Sequence, residues 1–234
     1  MRVLLKGRVD SQKKIGGDIL SMIDRIPHLK KLGVEVEIDY VGTKSSKKYD
    51  IVHLQQSLFN SYDIFSHLKE AKNYNKPIVL KPLYNSIEDT IYYMRYGQSK
   101  TIGLLYKTLN NHNSYVKIRD LFYSLHNRNL KNVEKKFFSN YSKMQNYILK
   151  NSYLIPDSHL EMKTINKEFN IKINNYSVVR NSLGIDDELD NISPSLFFNK
   201  YKIKDFVLCA GRVEPLKNQV NLLRALSGTN LKVV

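Results

Sequence analysis

The stretch Gly211-Arg212-Val213-Glu214-Pro215-Leu216-Lys217-Asn218 sets two cations around a glycine and a proline. These residue types suit the grip of a diphosphate. Gly211 lets a strand end in a tight turn. Pro215 has no N–H to lose and suits the first position of a helix. The turn then aims free backbone N–H groups outward, where an anion binds. Arg212 can hold two phosphate oxygens at once, and Lys217 adds a point charge. Two cations beside a helix start would stabilise a departing diphosphate. On spacing alone, the same residues also fit a surface arginine and lysine in an ordinary strand-to-helix loop.

Three other places carry candidate chemistry. Gly16 and Gly17 precede a helical pattern and leave room for a ligand to approach the backbone. Asp18, just inside that helix, suits its positive end. A flexible loop with a capping residue is the plainer reading. His53 ends an apolar strand, "IVHLQQ", with Gln55 or Gln56 beside it. It is read either as a cleft residue or as a core histidine. Ser158 and Glu161 have the spacing of a capping box. Asp186 and Asp187 make no convincing metal site, and no metal is expected. The single Cys209 excludes an internal disulfide and any cysteine-based zinc site. It lies in an apolar run and reads as a core thiol.

The elements that must position these residues alternate in type. Strands are expected at 2–6, 33–40, 49–54, 76–81, 152–158, 176–181 and 205–211. Helices are expected from Gly17 to Lys31, at 62–73, at 159–169 and from Leu216 to Leu226. Pro27 should kink the first helix or cap its length. Such alternation implies an α/β fold, a parallel sheet with helices on both faces. Ligands then bind at the carboxyl ends of the strands. Residues 186–205 are polar and poorly periodic and read as a linker. The expected organisation is therefore one domain over 1–190, a linker over 191–204, and the start of a second strand–helix–strand domain over 205–234.

The chain has 234 residues, 42% of them hydrophobic, which is enough for a sizeable core. No apolar run approaches the roughly 20 residues that span a bilayer. The N-terminus reads as a first strand rather than a signal peptide, and a cytoplasmic protein is expected. The formal net charge is +15, which favours an anionic partner. Abundant Lys, Asn, Tyr and Ile also fit an AT-rich genome. The charge is nevertheless clustered. Residues 92–150 hold eleven Lys or Arg against two acids, Asp120 and Glu134, together with eleven Tyr or Phe. That segment is read as a surface for an anionic membrane. A solvated helical pair is the plain alternative, and nucleic acid is the least favoured partner.

"FVLCAGRVEPLKNQVNLLRAL" resembles the opening of the C-terminal domain of GT-B glycosyltransferases of family 4, with the pattern G-R-x-x-x-x-K-[GN]. "KIGGDILSMIDRIPHLKKLGVEVEID" (14–39) resembles that family's first loop and helix. "YLIPDSHLEMKTINKEFNI" (153–171) with "YSVVRNSLGID" (176–186) resembles its last N-domain elements. The likeness runs through the chain in order and is weakest between 82 and 150. It implies two Rossmann-like domains and a retaining transfer from a nucleotide-sugar to a polysaccharide or lipid-linked acceptor. The nucleotide-sugar is a co-substrate, and no other cofactor is implied. Arg212 and Lys217 would hold the donor diphosphate, and Gly16 and Gly17, at the cleft, would bind it with them. Asp18 would meet an acceptor hydroxyl or act as the catalytic base. His53 and Gln55 would face the acceptor. The family often carries a His after the next strand; "VLKPLYNS" offers Lys81, Tyr84 and Asn85 there instead. The resemblance places the protein in the cytoplasm, peripheral at the inner face of the membrane. It also implies that the donor domain is incomplete in this chain, which would then have little or no activity.

Overall fold

The computed structural model describes residues 1–8, 16–58, 61–86, 114, 117–118, 140–181, 193–213 and 217–234. Most of the basic, aromatic segment 92–150 lies outside the described residues. The described chain forms two compact units, one up to residue 181 and one from residue 193.

The first unit is an α/β layer structure. Five strands, β1 (Arg2–Lys6), β2 (Glu35–Asp39), β3 (Ile51–Gln55), β4 (Ile78–Lys81) and β5 (Tyr153–Leu154), form a parallel sheet in the order β2-β1-β3-β4-β5. In register, Val3 pairs with Val36 and Ile51, Gln55 with Lys81, and Leu80 with Leu154. The strand order reverses between β1 and β3, which is where ligands bind in sheets of this kind.

Alternation along the strands supplies two cores. Val3 and Leu5 face helix α1 (Gly17–Lys31), packing against Ile19 and Met22. Val52, Leu54, Ile78 and Leu80 face the opposite way. They pack against Ile64 and Leu68 of α2 (Ser61–Asn73), Ile148 of α3 (Tyr141–Lys150), and Met162 and Ile165 of α4 (His159–Glu168). Both faces of the sheet are thus covered.

Helix ends follow from left-handed residues. Gly33, at φ +76, closes α1: its N–H reaches the Lys30 carbonyl and that of Val34 reaches the Leu29 carbonyl. Asn75 and Asn170 end α2 and α4 by the same paired bonds. Pro27 does not stop α1, which continues to Lys31. It stands on the exposed side of the helix, as does Ile23, whose carbonyl loses its usual N–H partner. The strand expected over 152–158 shortens to two residues, because Pro156 has no N–H for the ladder. Past it, residues 176–181 form one parallel bridge, Leu154 with Tyr176, and one further backbone bond, from the Val179 N–H to the Pro156 carbonyl, rather than a full strand.

The second unit holds α5 (Ser195–Tyr201), β6 (Phe206–Val207), α6 (Gln219–Leu226) and β7 (Lys232–Val233), with β6 and β7 parallel. Helix α5 occupies residues read from sequence as linker. It is anchored by Phe197, whose ring centre lies 4.9 Å from that of Phe206. Helix α6 begins at Gln219 rather than Leu216, and the expected place of Pro215 at its first turn lies outside the described residues. Cys209 is half-buried, and its N–H bonds the Val234 carbonyl at 2.8 Å.

Candidate functional site

Two neighbouring glutamines, Gln55 at the end of β3 and Gln56 just after it, bond the chain just past β1 and the first turn of α1. Gln56 Nε2 donates to the Gly7 carbonyl at 2.6 Å, and Gln55 Nε2 to the Asp18 carbonyl at 2.5 Å. Both side chains are fully buried. Gly16 is the N-cap residue of α1, and no side chain caps the helix start. A Cβ on Gly16 would lie 2.6 Å from Asp18 Oδ1, so the carboxylate occupies the space that glycine leaves. Among the described residues nothing lies within 4 Å of the corresponding point on Gly17. Asp18 is held by Arg8, whose Nε donates to Oδ2 at 2.7 Å. The candidate base is therefore an ion-paired carboxylate in the first turn of α1.

Deeper along α1 a polar cluster lies against β3 and β4. Arg25 Nη2 donates to Ser21 Oγ at 2.7 Å and to Asn181 Oδ1 at 3.3 Å. Gln55 Nε2 also reaches Ser21 Oγ, at 3.1 Å. Lys81, buried at the end of β4, donates to Asp157 Oδ1 at 2.5 Å and to the Val179 carbonyl at 3.0 Å. His53 of β3 lies near enough to feel the charges of Arg25 and Lys81. Burial first, and then the charges of Arg25 and Lys81, push its imidazole down to about 3, so it is neutral at physiological pH. Burial likewise lowers the Arg25 guanidinium, against the opposing pull of Asp157 and Asp24.

Tyr84 and Asn85 separate in role. Tyr84 is buried, and its hydroxyl donates to Glu168 Oε2 at 2.5 Å. Burial first, and then that carboxylate, raise the phenol's pKa. Asn85 is exposed. Ser158 Oγ accepts from the Glu161 N–H at 3.1 Å, which is half of the expected capping box. The other half is replaced. Glu161 accepts instead from the Asp157 N–H at 2.6 Å and the Tyr84 N–H at 2.8 Å. It thereby ties the loop after β4 to the loop after β5.

A second buried network closes the β1–β2 edge. Lys6 Nζ lies 3.5 Å from Asp39 and donates to the Lys44 carbonyl at 2.8 Å. Asp39 accepts from the backbone N–H groups of Val41, Gly42, Thr43 and Lys44. Burial alone would raise its pKa. These bonds and Lys6 overcome that and hold it below the usual carboxylate range. Sequence patterning did not single out Lys6, Arg8, Arg25, Asp39, Asp157 or Asn181. A lysine closing the apolar strand "RVLLK" was the one available signal. No local pattern links Ser21 to Asn181, far along the chain.

In the second unit, Arg212 and Lys217 are exposed and lie in the loop between β6 and α6. The aliphatic part of Lys217 passes 3.9–4.0 Å from where a Cβ on Gly211 would stand. Gln219 Nε2 donates to the Arg212 carbonyl at 2.8 Å, fixing the turn to the helix. Asn218, in left-handed conformation, is the N-cap residue of α6, and its side chain makes no cap hydrogen bond. Arg212 and Lys217 thus share one loop of the second unit, while Gly16, Gly17, Asp18, His53, Gln55, Tyr84 and Asn85 belong to the first.

Among the described residues no cluster of three or more His, Cys, Asp or Glu is placed to hold a metal, and no helix is long and apolar enough to cross a membrane. The fold defines the class: an α/β protein whose first unit carries a five-stranded parallel sheet of Rossmann-like type. No family model, no curated protein and no solved structure matches the chain.

Proposed function

We propose that this protein is a retaining glycosyltransferase of GT-B type. It moves a sugar from a nucleotide-sugar to a polysaccharide or lipid-linked acceptor, in the cytoplasm and peripherally at the inner face of the membrane. The observation that carries the reading is the loop of the second unit. There Lys217 lies along Gly211, and Arg212 is tethered through its carbonyl to Gln219, the first residue of a helix whose N-cap Asn218 makes no side-chain cap bond. Backbone N–H groups at that start and the two cations would take the charge of the departing diphosphate. On the acceptor side, Asp18 meets a sugar hydroxyl with its carboxylate oriented by Arg8.

Calorimetric titration with UDP, GDP and ADP tests the donor half directly. Saturable binding of one of them, weakened about tenfold or more by Arg212→Ala and by Lys217→Ala, is the expected result, since a hydrogen bond to a charged group contributes roughly 1.5–3 kcal/mol. Absence of binding by all three, or binding indifferent to both substitutions, overturns the reading.

A further inference from the structure

The crossover from β2 to β3 borders a cavity of about 710 Å³, lined by Glu37, Lys44, Ser45, Lys47, Lys48 and Tyr49. All six residues belong to the first unit. The volume falls within the roughly 300–1,000 Å³ of small-molecule sites. Three lysines against one glutamate leave the lining with a positive excess.

The crossover is fastened from the side of the sheet and α2. Asp39 accepts from the N–H groups of Val41, Gly42, Thr43 and Lys44, and Lys6 donates to the Lys44 carbonyl. Glu70 of α2 accepts from the Ser46 N–H at 2.8 Å and from the Ser45 hydroxyl at 3.3 Å. Lys6 Nζ, 3.5 Å from Asp39 and 3.9 Å from Glu70, offsets part of their charge. These carboxylates are thus occupied by the loop and by Lys6, while Lys44, Lys47 and Lys48 stay exposed.

Glu37 is occupied as well. Lys44 Nζ donates to Oε1 at 2.5 Å, the Tyr49 hydroxyl donates to Oε2, and Lys48 Nζ lies 3.4 Å from Oε2. One carboxylate therefore serves two ammonium groups. Lys47 has no acidic partner among the described residues. The cavity thus offers one unpaired ammonium and two that share a single counter-charge. A phosphate group carries up to two charges and accepts from several ammonium donors at once, whereas a carboxylate brings one charge only. Lysine binds phosphate as a point charge with freely turning donors, so three lysines on one loop need no fixed fork geometry. We propose that this cavity is a binding site for a phosphate group, carried by a small phosphorylated molecule or by a lipid headgroup, with Lys47 as its leading contact. The site is separate from the loop of Arg212 and Lys217 and does not depend on the transferase reading.

The test follows the backbone amide resonances of Lys47 and Lys48 by NMR in the full chain, titrated with inorganic phosphate and with pyrophosphate at about 0.15 M ionic strength. Arg212→Ala and Lys217→Ala are present throughout, so that the loop of the second unit adds nothing. A saturable shift with at least one probe is expected, weakened about tenfold by Lys47→Ala. Lys47 is exposed, and thermal unfolding of the variant separates lost binding from lost fold. Glu37→Gln should act in the opposite direction and tighten binding about threefold, because it removes the counter-charge of Lys44 and Lys48 and keeps an oxygen for the Tyr49 hydroxyl. Sedimentation with phosphatidylglycerol vesicles distinguishes the sources. Shifts without vesicle binding assign a soluble ligand, and vesicle binding that needs Lys47 assigns a headgroup. Silence with both probes and with vesicles, binding unchanged in Lys47→Ala, or binding equal or weaker in Glu37→Gln would overturn the site.

Discussion

Gln55 and Gln56 are adjacent in sequence, yet their side chains clamp opposite ends of one loop, at the Asp18 and Gly7 carbonyls. Successive residues of a strand point to opposite faces, so a consecutive pair at its end reaches both sides of the sheet edge. Gly7, just past β1, and the first turn of α1 are thereby both tied to the end of β3, beside which the strand order reverses.

The two glycines of that loop should respond oppositely to alanine. Gly16→Ala drives a methyl group into the Asp18 carboxylate and forces it off Arg8. A loss of about 1–2 kcal/mol is expected. Gly17→Ala meets open space at a helical position and should gain about 0.5 kcal/mol. Urea unfolding of the two variants checks the contrast. Equal effects would refute the crowding at Gly16.

Glu161 should matter more than a capping residue does. Its carboxylate serves two backbone N–H groups from separate loops. Glu161→Ala leaves both without that acceptor and should cost about 2–3 kcal/mol. Glu161→Gln keeps one oxygen and should fall between. A loss no larger than that of Ser158→Ala, measured by chemical unfolding, would reduce Glu161 to a helix cap.

Lys81→Met tests the ion pair at the end of β4. The lysine is buried, whereas the Asp157 side chain is 35% exposed and keeps some water. The loss should therefore stay at about 2–3 kcal/mol, below that of a fully buried pair. The double variant Lys81→Met with Asp157→Asn should recover part of it. Strict additivity of the two losses would show that the pair is not coupled.

Acid sensitivity should follow the two covered histidines. His53 is held at about 3 and His67 at about 4, both chiefly by burial. An unfolded histidine titrates near ~6.5. Between these values the unfolded chain binds protons that the folded chain refuses. Their contribution is therefore complete above about pH 6.5 and is lost as pH falls toward 4 and then 3. His53→Asn should flatten the dependence of the unfolding midpoint on pH over that range. An unchanged slope would mean that His53 is protonated in the fold.

The order of the first unit's strands and helices was legible because burial leaves a period in the sequence. Val3 and Leu5 alternate, and Ile19, Met22 and Ile26 recur at helical steps, whatever the partner. Gly33 announced the end of α1 by its freedom to adopt positive φ. What the sequence could not give was the exact extent of weak elements. β5 and residues 176–181 depend on whether a neighbouring strand offers carbonyls, and Pro156 removes a donor that patterning does not count.

The candidate residues divide in the same way. Arg212, Lys217, Gly16 and Gly17 stand out as candidates in the sequence because their chemistry is local: a turn, two cations and the start of a helix lie within a few residues. Tyr84 was read as a cleft residue, and only packing shows its hydroxyl committed to Glu168. Arg25 and Asn181 met only when the chain returned across the sheet to α1. Amino-acid order alone determines which faces are apolar and where the chain must turn, since those depend on side chains close in sequence. The partner of each buried polar atom is decided by the tertiary fold, because hydrogen bonds act over about 3 Å and select whatever group the packing brings there.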